Sequence, residues 1–210
     1  MPPVQPTFGD SYGVREGDTG LMGSLAPVIA PGFETRIAAD IGAFPPVGLI
    51  YTRVRAGFNA GAPPRAASMI SVSVAGTGTI SRAIVQVAGP AYARAHAELS
   101  ITIEEWAPRV PRFSRPPFTS VLVQRVTFNP TKIFDVWGTF PLSFQFPTDD
   151  GTTYTSVAGM PISEIASVRG HFFHCWINLI QTAEADAVVG YAAAVSNVAY
   201  DFPPPFVAFL

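Results

Sequence analysis

The clearest pattern in the chain is a strict alternation over Ala91–Trp106, AYARAHAELSITIEEW. Ala93, Ala95, Ala97, Leu99, Ile101 and Ile103 share one face, and Arg94, His96, Glu98, Ser100, Thr102 and Glu104 share the other. A period of two over this length predicts a β-strand with one face in a core and the other in water. At ~3.3 Å per residue the strand runs on the order of 40 Å, well beyond a common strand of about five or six residues. The strands before and after it are expected to pair along it.

Similar alternation recurs on both sides. VGLIYTRVR (Val47–Arg55), AASMISVSVAG (Ala66–Gly76) and TISRAIVQVAG (Thr79–Gly89) each predict a strand, with Ile70, Val72 and Val74 inward in the second and Ala83, Val85 and Val87 inward in the third. Gly76 and Gly78 predict a short turn between these two, and Gly89–Pro90 turns the chain into the long strand. Short connections of this kind predict an antiparallel meander. Beyond the long strand, Ala107–Pro117 is a proline-rich crossing, and FTSVLVQRVTF is a strand ended by Asn129–Pro130. KIFDVWGTF and PLSFQF follow, with Phe140, Leu142, Phe144 and Phe146 on one face. Asp150–Gly151 predicts a hairpin-type turn, and Pro161–Val168 a helical turn. Arg169–Thr182 and Ala187–Phe202 are expected to be long strands paired with each other. The alanines of the second suit either a helix or a sheet face closely approached by another layer; its valines and Gly190 favour the strand.

One segment departs from the period of two. In PGFETRIAADIG (Pro31–Gly42), Phe33, Ile37 and Ile41 recur every four residues between a leading proline and a closing glycine, which predicts a short helix. Residues 1–30 show no sustained period and are expected to form an extended arm, and residues 203–210 an apolar tail. Both ends are proline-rich and aromatic. Phe8, Tyr12, Phe202, Phe206 and Phe209 are therefore candidate interface residues, which dock on a neighbouring subunit or fold back on their own domain. The sum is an all-β chain: a two-sheet antiparallel sandwich of about eight strands over residues 31–202, jelly-roll-like, with one short helix and extended termini.

Composition narrows the class. The 210 residues suit one domain; 48% are hydrophobic and only 13% charged, and the formal net charge is −2. That balance gives no global basic field, so nucleic acid is expected to bind weakly if at all. Cys175 is the only cysteine, which excludes an intrachain disulfide and a Cys-based zinc site. The first residues lack the basic start and apolar core of a secretory signal, and no apolar run reaches the ~18–20 residues of a membrane helix. Synthesis in a cytoplasm is expected.

Candidate chemistry is sparse. His96 and Glu98 share a face and could share a proton or a metal, with no third ligand in sight; a solvated strand face is the plainer expectation. His171, His174 and Cys175 are close in sequence, but His174 points away from the other two. There is no nucleophile elbow, no phosphate-binding glycine loop and no calcium loop. Nothing implies a cofactor, a metal or catalysis. Arg109, Arg112 and Arg115 lie three apart in a proline-rich stretch, where a polyproline II helix would align them as an anion-contact ridge. Trp106, Trp137 and Trp176 sit in or beside strands and are expected to pack.

These features point first to a structural, self-assembling subunit, a homo-oligomer of the kind used in a virion, phage particle or other shell or filament. The alternative is a module that binds carbohydrate or another surface ligand through loops such as Phe58–Arg65 and Asp149–Thr155.

Overall fold

A computed structural model describes residues 7–17, 28–30, 35–43, 47–108, 120–128, 131–140, 142–146 and 149–210. Among them are thirteen strands: β1 (Thr7–Gly17), β2 (Val28–Ala30), β3 (Thr35–Ala43), β4 (Val47–Gly61), β5 (Met69–Ala88), β6 (Ala91–Pro108), β7 (Ser120–Thr127), β8 (Thr131–Thr139), β9 (Leu142–Phe146), β10 (Asp149–Pro161), β11 (Phe172–Ala187), β12 (Tyr191–Phe202) and β13 (Phe206–Phe209). They form two antiparallel sheets, so the chain is an all-β sandwich.

The first sheet runs β1-β4-β11-β6. β11 covers one whole edge of β6, from Ala91 to Trp106, and the other edge is shared by β8 along Tyr92–Leu99 and β7 along Thr102–Pro108. The second sheet is organised in the same way around β5. One edge of β5 takes β12 and then β13, the other takes β9 and β10, and β12 continues to β3 and β2. The inward face of β6 meets that of β5 in one core that includes Phe58, Ile70, Leu99, Ile101, Phe173 and Phe202. Each such side chain contributes about 1.5–3 kcal/mol on full burial. A polar bond crosses the core itself: Gln181 Nε2 donates to Ser196 Oγ at 2.8 Å, with both residues buried.

The long strands alternate between sheets, as in a jelly roll. This corrects three expectations. Val47–Arg55, Ala66–Gly76 and Thr79–Gly89 are not a meander, because the last two are one strand, β5, which lies in the sheet opposite β4 and β6. β11 and β12 do not pair; they face each other across the core. Gly76 and Gly78 are not a turn, because β5 runs through them unbroken. The inward parity of β5 switches from even to odd after Ile80, and a turn and a one-residue bulge produce that switch equally well. Here it is a bulge at Ser81–Arg82, where Ser81 Oγ donates to Asn197 Oδ1 at 2.6 Å. The two glycines make room for rings. A Cβ at Gly78 would lie 2.5 Å from Tyr154 Cε2, and one at Gly76 would lie 2.8 Å from Tyr200 Cζ. Tyr200 thereby reaches Tyr154, donating its hydroxyl to that backbone carbonyl at 2.8 Å.

The helix expected over Pro31–Gly42 is also corrected: Thr35–Ala43 is strand β3, paired with β12 and β2. Ile37 and Ile41 are four apart, a spacing that is two full periods of a strand as well as about one helical turn. The hairpin expected at Asp150–Gly151 is a register shift inside β10. The helical turn expected near Pro161–Val168 corresponds to the β10–β11 connection, where Arg169 N donates to Ile165 O at 2.9 Å.

Both terminal segments reach their own sheets. β1 pairs with β4, and β13 pairs with β5, where Leu210 O accepts from Ser68 N and Met69 N. The open side between β10 and the first sheet is closed by side chains: Thr131 Oγ1 donates to Thr155 O at 3.2 Å and Gln124 Nε2 to Pro161 O at 3.1 Å.

Candidate functional site

The register of β4, β11, β6 and β7 sets out the outer face of the first sheet in rows. Phe172 stands beside Trp106. The next row is Asn59, His174, Glu104 and Arg125, followed by Gly57, Trp176, Thr102 and Thr127. Then come Arg55, Asn178 and Ser100. Every one of these positions lies on the strand face opposite the core residues Phe58, Phe173, Cys175, Ile101 and Ile103.

At the Trp106 end the rows form a cleft of about 320 Å³, lined by Asn59, Glu104, Trp106, Ser120, Phe172, His174 and Trp176. Trp106, Phe172 and His174 are half-buried and Asn59 is exposed, whereas Trp176 is buried beneath them. The Trp176 ring is held by His174 edge-on at 4.4 Å between centroids and by the Arg55 guanidinium 4.5 Å from its centroid. Glu104, 2% exposed, is the polar floor. Its Oε1 accepts from Arg125 Nε at 2.7 Å and its Oε2 from Trp106 Nε1 at 3.1 Å. Burial lowers the Arg55 pKa from its ordinary value, Glu104 opposes that shift and Arg125 adds to it. The cleft thus combines aromatic walls and a tethered carboxylate, with one guanidinium against Trp176 and another on Glu104.

Behind the cleft, Glu105 points to the core side and is fully buried. Its carboxylate accepts from His171 Nδ1 at 2.7 Å, from Ser163 Oγ at 2.8 Å and from Gln124 Nε2. Burial alone would raise the Glu105 pKa; the bonds from His171, Ser163 and Gln124 together outweigh it and hold the carboxyl below its ordinary value. Glu105 and His171 flank Trp106 and Phe172 in sequence, so this buried knot anchors two walls of the cleft.

The outer face is less wet than its alternation predicts. Ser100, Thr102, Glu104 and Asn178 are buried, which corrects the solvated face expected there. Most of their polar groups are met within the sheet: Asn178 Nδ2 donates to Ser100 O, Ser100 Oγ and Thr102 Oγ1, and Thr102 Oγ1 bonds to Thr127 Oγ1 at 2.9 Å, while Asn178 Oδ1 is buried without a hydrogen bond. His96 and Glu98 do meet, with Nε2 to Oε2 at 3.0 Å, and a third acid, Asp135, lies 3.7 Å from His96 Nδ1. Asp135 is already clasped by Arg94 through two bonds of 2.8 and 3.0 Å and by Lys132 at 3.2 Å. The bond from Arg94, aided by Lys132, holds its pKa at about 2 against burial. Two cations on one carboxylate make this an ion-pair network, and among the described residues no group of three His, Cys, Asp or Glu is placed to hold a metal.

His171 and His174 take separate roles, one in the buried knot and one in the cleft wall. Cys175 is buried in the core and burial pushes its thiol pKa up, so it is a packing residue. Arg109, Arg112 and Arg115 lie outside the described residues. Phe8 and Tyr12 belong to β1, paired to its own chain. Phe202 and Phe209 are buried in their own core, Phe209 edge-on to Phe173 at 5.8 Å, while Phe206 is exposed. Phe58–Gly61 and Asp149–Thr155 lie in strands β4 and β10. Among the described residues no helix is long and apolar enough to cross a membrane.

The cleft itself was not singled out by the sequence. The available signal was that Trp106, His174 and Trp176 fall on the polar parity of β6 and β11. A ring there is either a surface residue or a wall, and only the pairing of β11 with both β4 and β6 brings the rings together.

No family model matches the chain, and no curated protein does. Among solved structures, one similar chain is that of TmCBM61 in complex with beta-1,4-galactotriose: 8% identity, covering 94% of this chain and 88% of that one, with a TM-score of 0.22. A likeness at that level carries no weight for the site.

Proposed function

We propose that this chain is a ligand-binding β-sandwich module without catalytic activity, that carbohydrate is its ligand class, and that the Trp106 cleft is its site. The observation that carries this is the placing of three partly exposed rings, Trp106, Phe172 and His174, around a fixed polar floor. A sugar ring offers apolar C–H faces and a rim of hydroxyls. The faces gain by leaving water against aromatic planes, and the rim needs positioned donors and acceptors. The test is a glycan array probed with the tagged chain, followed by tryptophan-fluorescence titration of each hit. Trp106→Ala should weaken binding by roughly thirtyfold, the equivalent of ~2 kcal/mol for one large ring's contact, with the melting transition still cooperative. An array without hits, or unchanged binding by the variant, refutes the reading.

A second reading is a self-assembling structural subunit, and it rests on the opposite end of the sandwich. Phe140 and Val188 (83% exposed) line a hollow with Pro90, Tyr92 and Thr139, and Trp137 (62%) and Val189, close to them in sequence, are exposed as well. Apolar groups gathered at one end are the surface that subunit contacts cover. Light scattering over a range of protein concentrations tests it. Oligomers abolished by Val188→Asp would support this reading, and a monomer at every concentration would refute it.

A further inference from the structure

We propose that the end of the sandwich bearing Val188 and Val189 docks on a lipid bilayer with choline headgroups, the valines entering the interface and the hollow beside them receiving the trimethylammonium group. This end lies away from the Trp106 cleft and is independent of what the cleft binds. Three connections meet there. Ala91 pairs with Ala187 and Ala88 with Tyr191, so Gly89–Pro90 and Val188–Gly190 run side by side. Tyr92 pairs with Thr139 and Val87 with Leu142, so the β8–β9 connection, Phe140–Pro141, joins the two sheets at the same end. These seven residues carry no charged and no hydrogen-bonding side chain. Exposed turns ordinarily use Asn, Asp or Ser, which keep water; here Phe140, Val188 and Val189 are exposed instead. The backbone suits an apolar medium as well. Two of the seven residues are prolines without an N–H, and Val188 N donates to Pro90 O at 3.2 Å, which leaves fewer bare donors to desolvate.

Polarity returns in steps behind this apex. The next row across the first sheet is Asp186, Tyr92 and Thr139, and the one after it Glu184, Arg94 and Trp137. Trp137 is exposed. Tryptophan and tyrosine favour the headgroup level, where the ring leaves water and the polar edge stays wet. The hollow, of about 420 Å³, includes Tyr92, Phe140, Val188 and Asp186 in its lining. Asp186 is exposed and forms no ion pair among the described residues. A trimethylammonium group has no proton to donate. It is held by apolar contact, by ring faces and by negative charge, and the hollow supplies all three. Charge also selects the occupant. Arg94, in the second row, is already clasped to Asp135 through two bonds, and the residues preceding Val47, the β4 partner of Asp186, are the uncharged Phe44–Pro46. A carboxylate at headgroup depth then favours the choline cation and repels an anionic headgroup. A second copy docked through the same connections would bring Asp186 no cation, since those connections hold none.

The experiment sediments the intact chain with vesicles of phosphatidylcholine and, separately, of phosphatidylglycerol, and follows tryptophan emission in the same samples. The chain should bind phosphatidylcholine about tenfold or more tightly than phosphatidylglycerol, with emission shifted to the blue as Trp137 leaves water. Val188→Asp should weaken binding to phosphatidylcholine by about tenfold or more, as expected when a buried valine is replaced by a charge. Asp186→Asn should reduce the preference between the two lipids to about twofold. Should either variant fail to fold, the comparison of the two vesicles with the unaltered chain still decides. Absence of binding to phosphatidylcholine, or binding unchanged in Val188→Asp, overturns the docking surface. Equal or tighter binding to phosphatidylglycerol overturns the choline headgroup, and a preference that survives in Asp186→Asn overturns the role of that carboxylate. An oligomer in lipid-free solution that Val188→Asp disperses overturns the bilayer in favour of a second copy. None of these outcomes bears on the Trp106 cleft, which the glycan array and Trp106→Ala test separately.

Discussion

Replacing Glu105 by glutamine should cost about 3 kcal/mol of stability at neutral pH. The carboxylate accepts three hydrogen bonds, from His171, Ser163 and Gln124, at a site with no exposure to water. Glutamine keeps one acceptor oxygen and replaces the other by a donor, so at least one of the three donors is left facing an N–H group. A lost bond to a charged acceptor is worth about 1.5–3 kcal/mol, and breaking a buried charged pair about 3–5. For a chain of this size the melting point should fall by roughly 6–12 °C. The pH dependence has a definite sign. The folded-state pKa of Glu105 lies below its ordinary value of 4.5, so the folded chain binds fewer protons here than the unfolded chain. Its contribution is present above the unfolded pKa and lost as pH falls through the folded one. Urea unfolding of both proteins, followed by tryptophan fluorescence at pH 7, 5 and 3, reads this directly. A difference below ~1 kcal/mol at pH 7, or one that persists undiminished at pH 3, would refute the reasoning.

Three further outcomes are expected. Gly78→Ala should destabilise by about 1–3 kcal/mol in urea unfolding, because its Cβ would lie 2.5 Å from the Tyr154 ring. Gly159→Ala, whose nearest neighbour is Met69 Sδ at 3.5 Å, should be close to neutral, and equal losses at the two sites would contradict the ring packing. Asp135→Asn should cost about 2 kcal/mol at pH 7, since the carboxyl is held at about 2 instead of 3.8; that deficit should fade as pH drops from ~4 toward 2 and be absent below, so a pH-independent deficit in unfolding curves counts against the ion-pair network. Cys175 should resist a thiol reagent at pH 8 until urea unfolds the chain, and rapid labelling of the native protein would contradict its burial.

The inward parity of β6 was legible residue by residue, because Ala93 through Ile103 are short-range information: the period alone names the buried face. What the sequence hides is which edges meet. A strand of period two says nothing about whether its partner is the next segment or one eighty residues on, and so β4 and the two halves of β5 suggested a meander. Ile37 and Ile41 hid a strand because four residues satisfy both periods. Gly76 and Gly78 suggested a turn because glycine marks close approach as well as chain reversal. The cleft was illegible for the same reason as the pairing. Its residues come from β4, β6, β7 and β11, and only the register places Asn59, His174 and Glu104 in one row.

The interleaving of the two sheets also bears on how the chain is made. β4 and β6 become neighbours only through β11, and β5 reaches β3 only through β12. Both bridging strands follow residue 171, so the strands before them wait unpaired along these edges while the ribosome, at about 5–20 residues per second, completes the intervening segment. For β5 and β6 that interval is several seconds or longer, with alternating apolar faces exposed throughout. Folding is therefore expected to follow synthesis, to be slow for a chain of this size, and to depend on chaperones that shield β5 and β6 until β11 and β12 close both sheets.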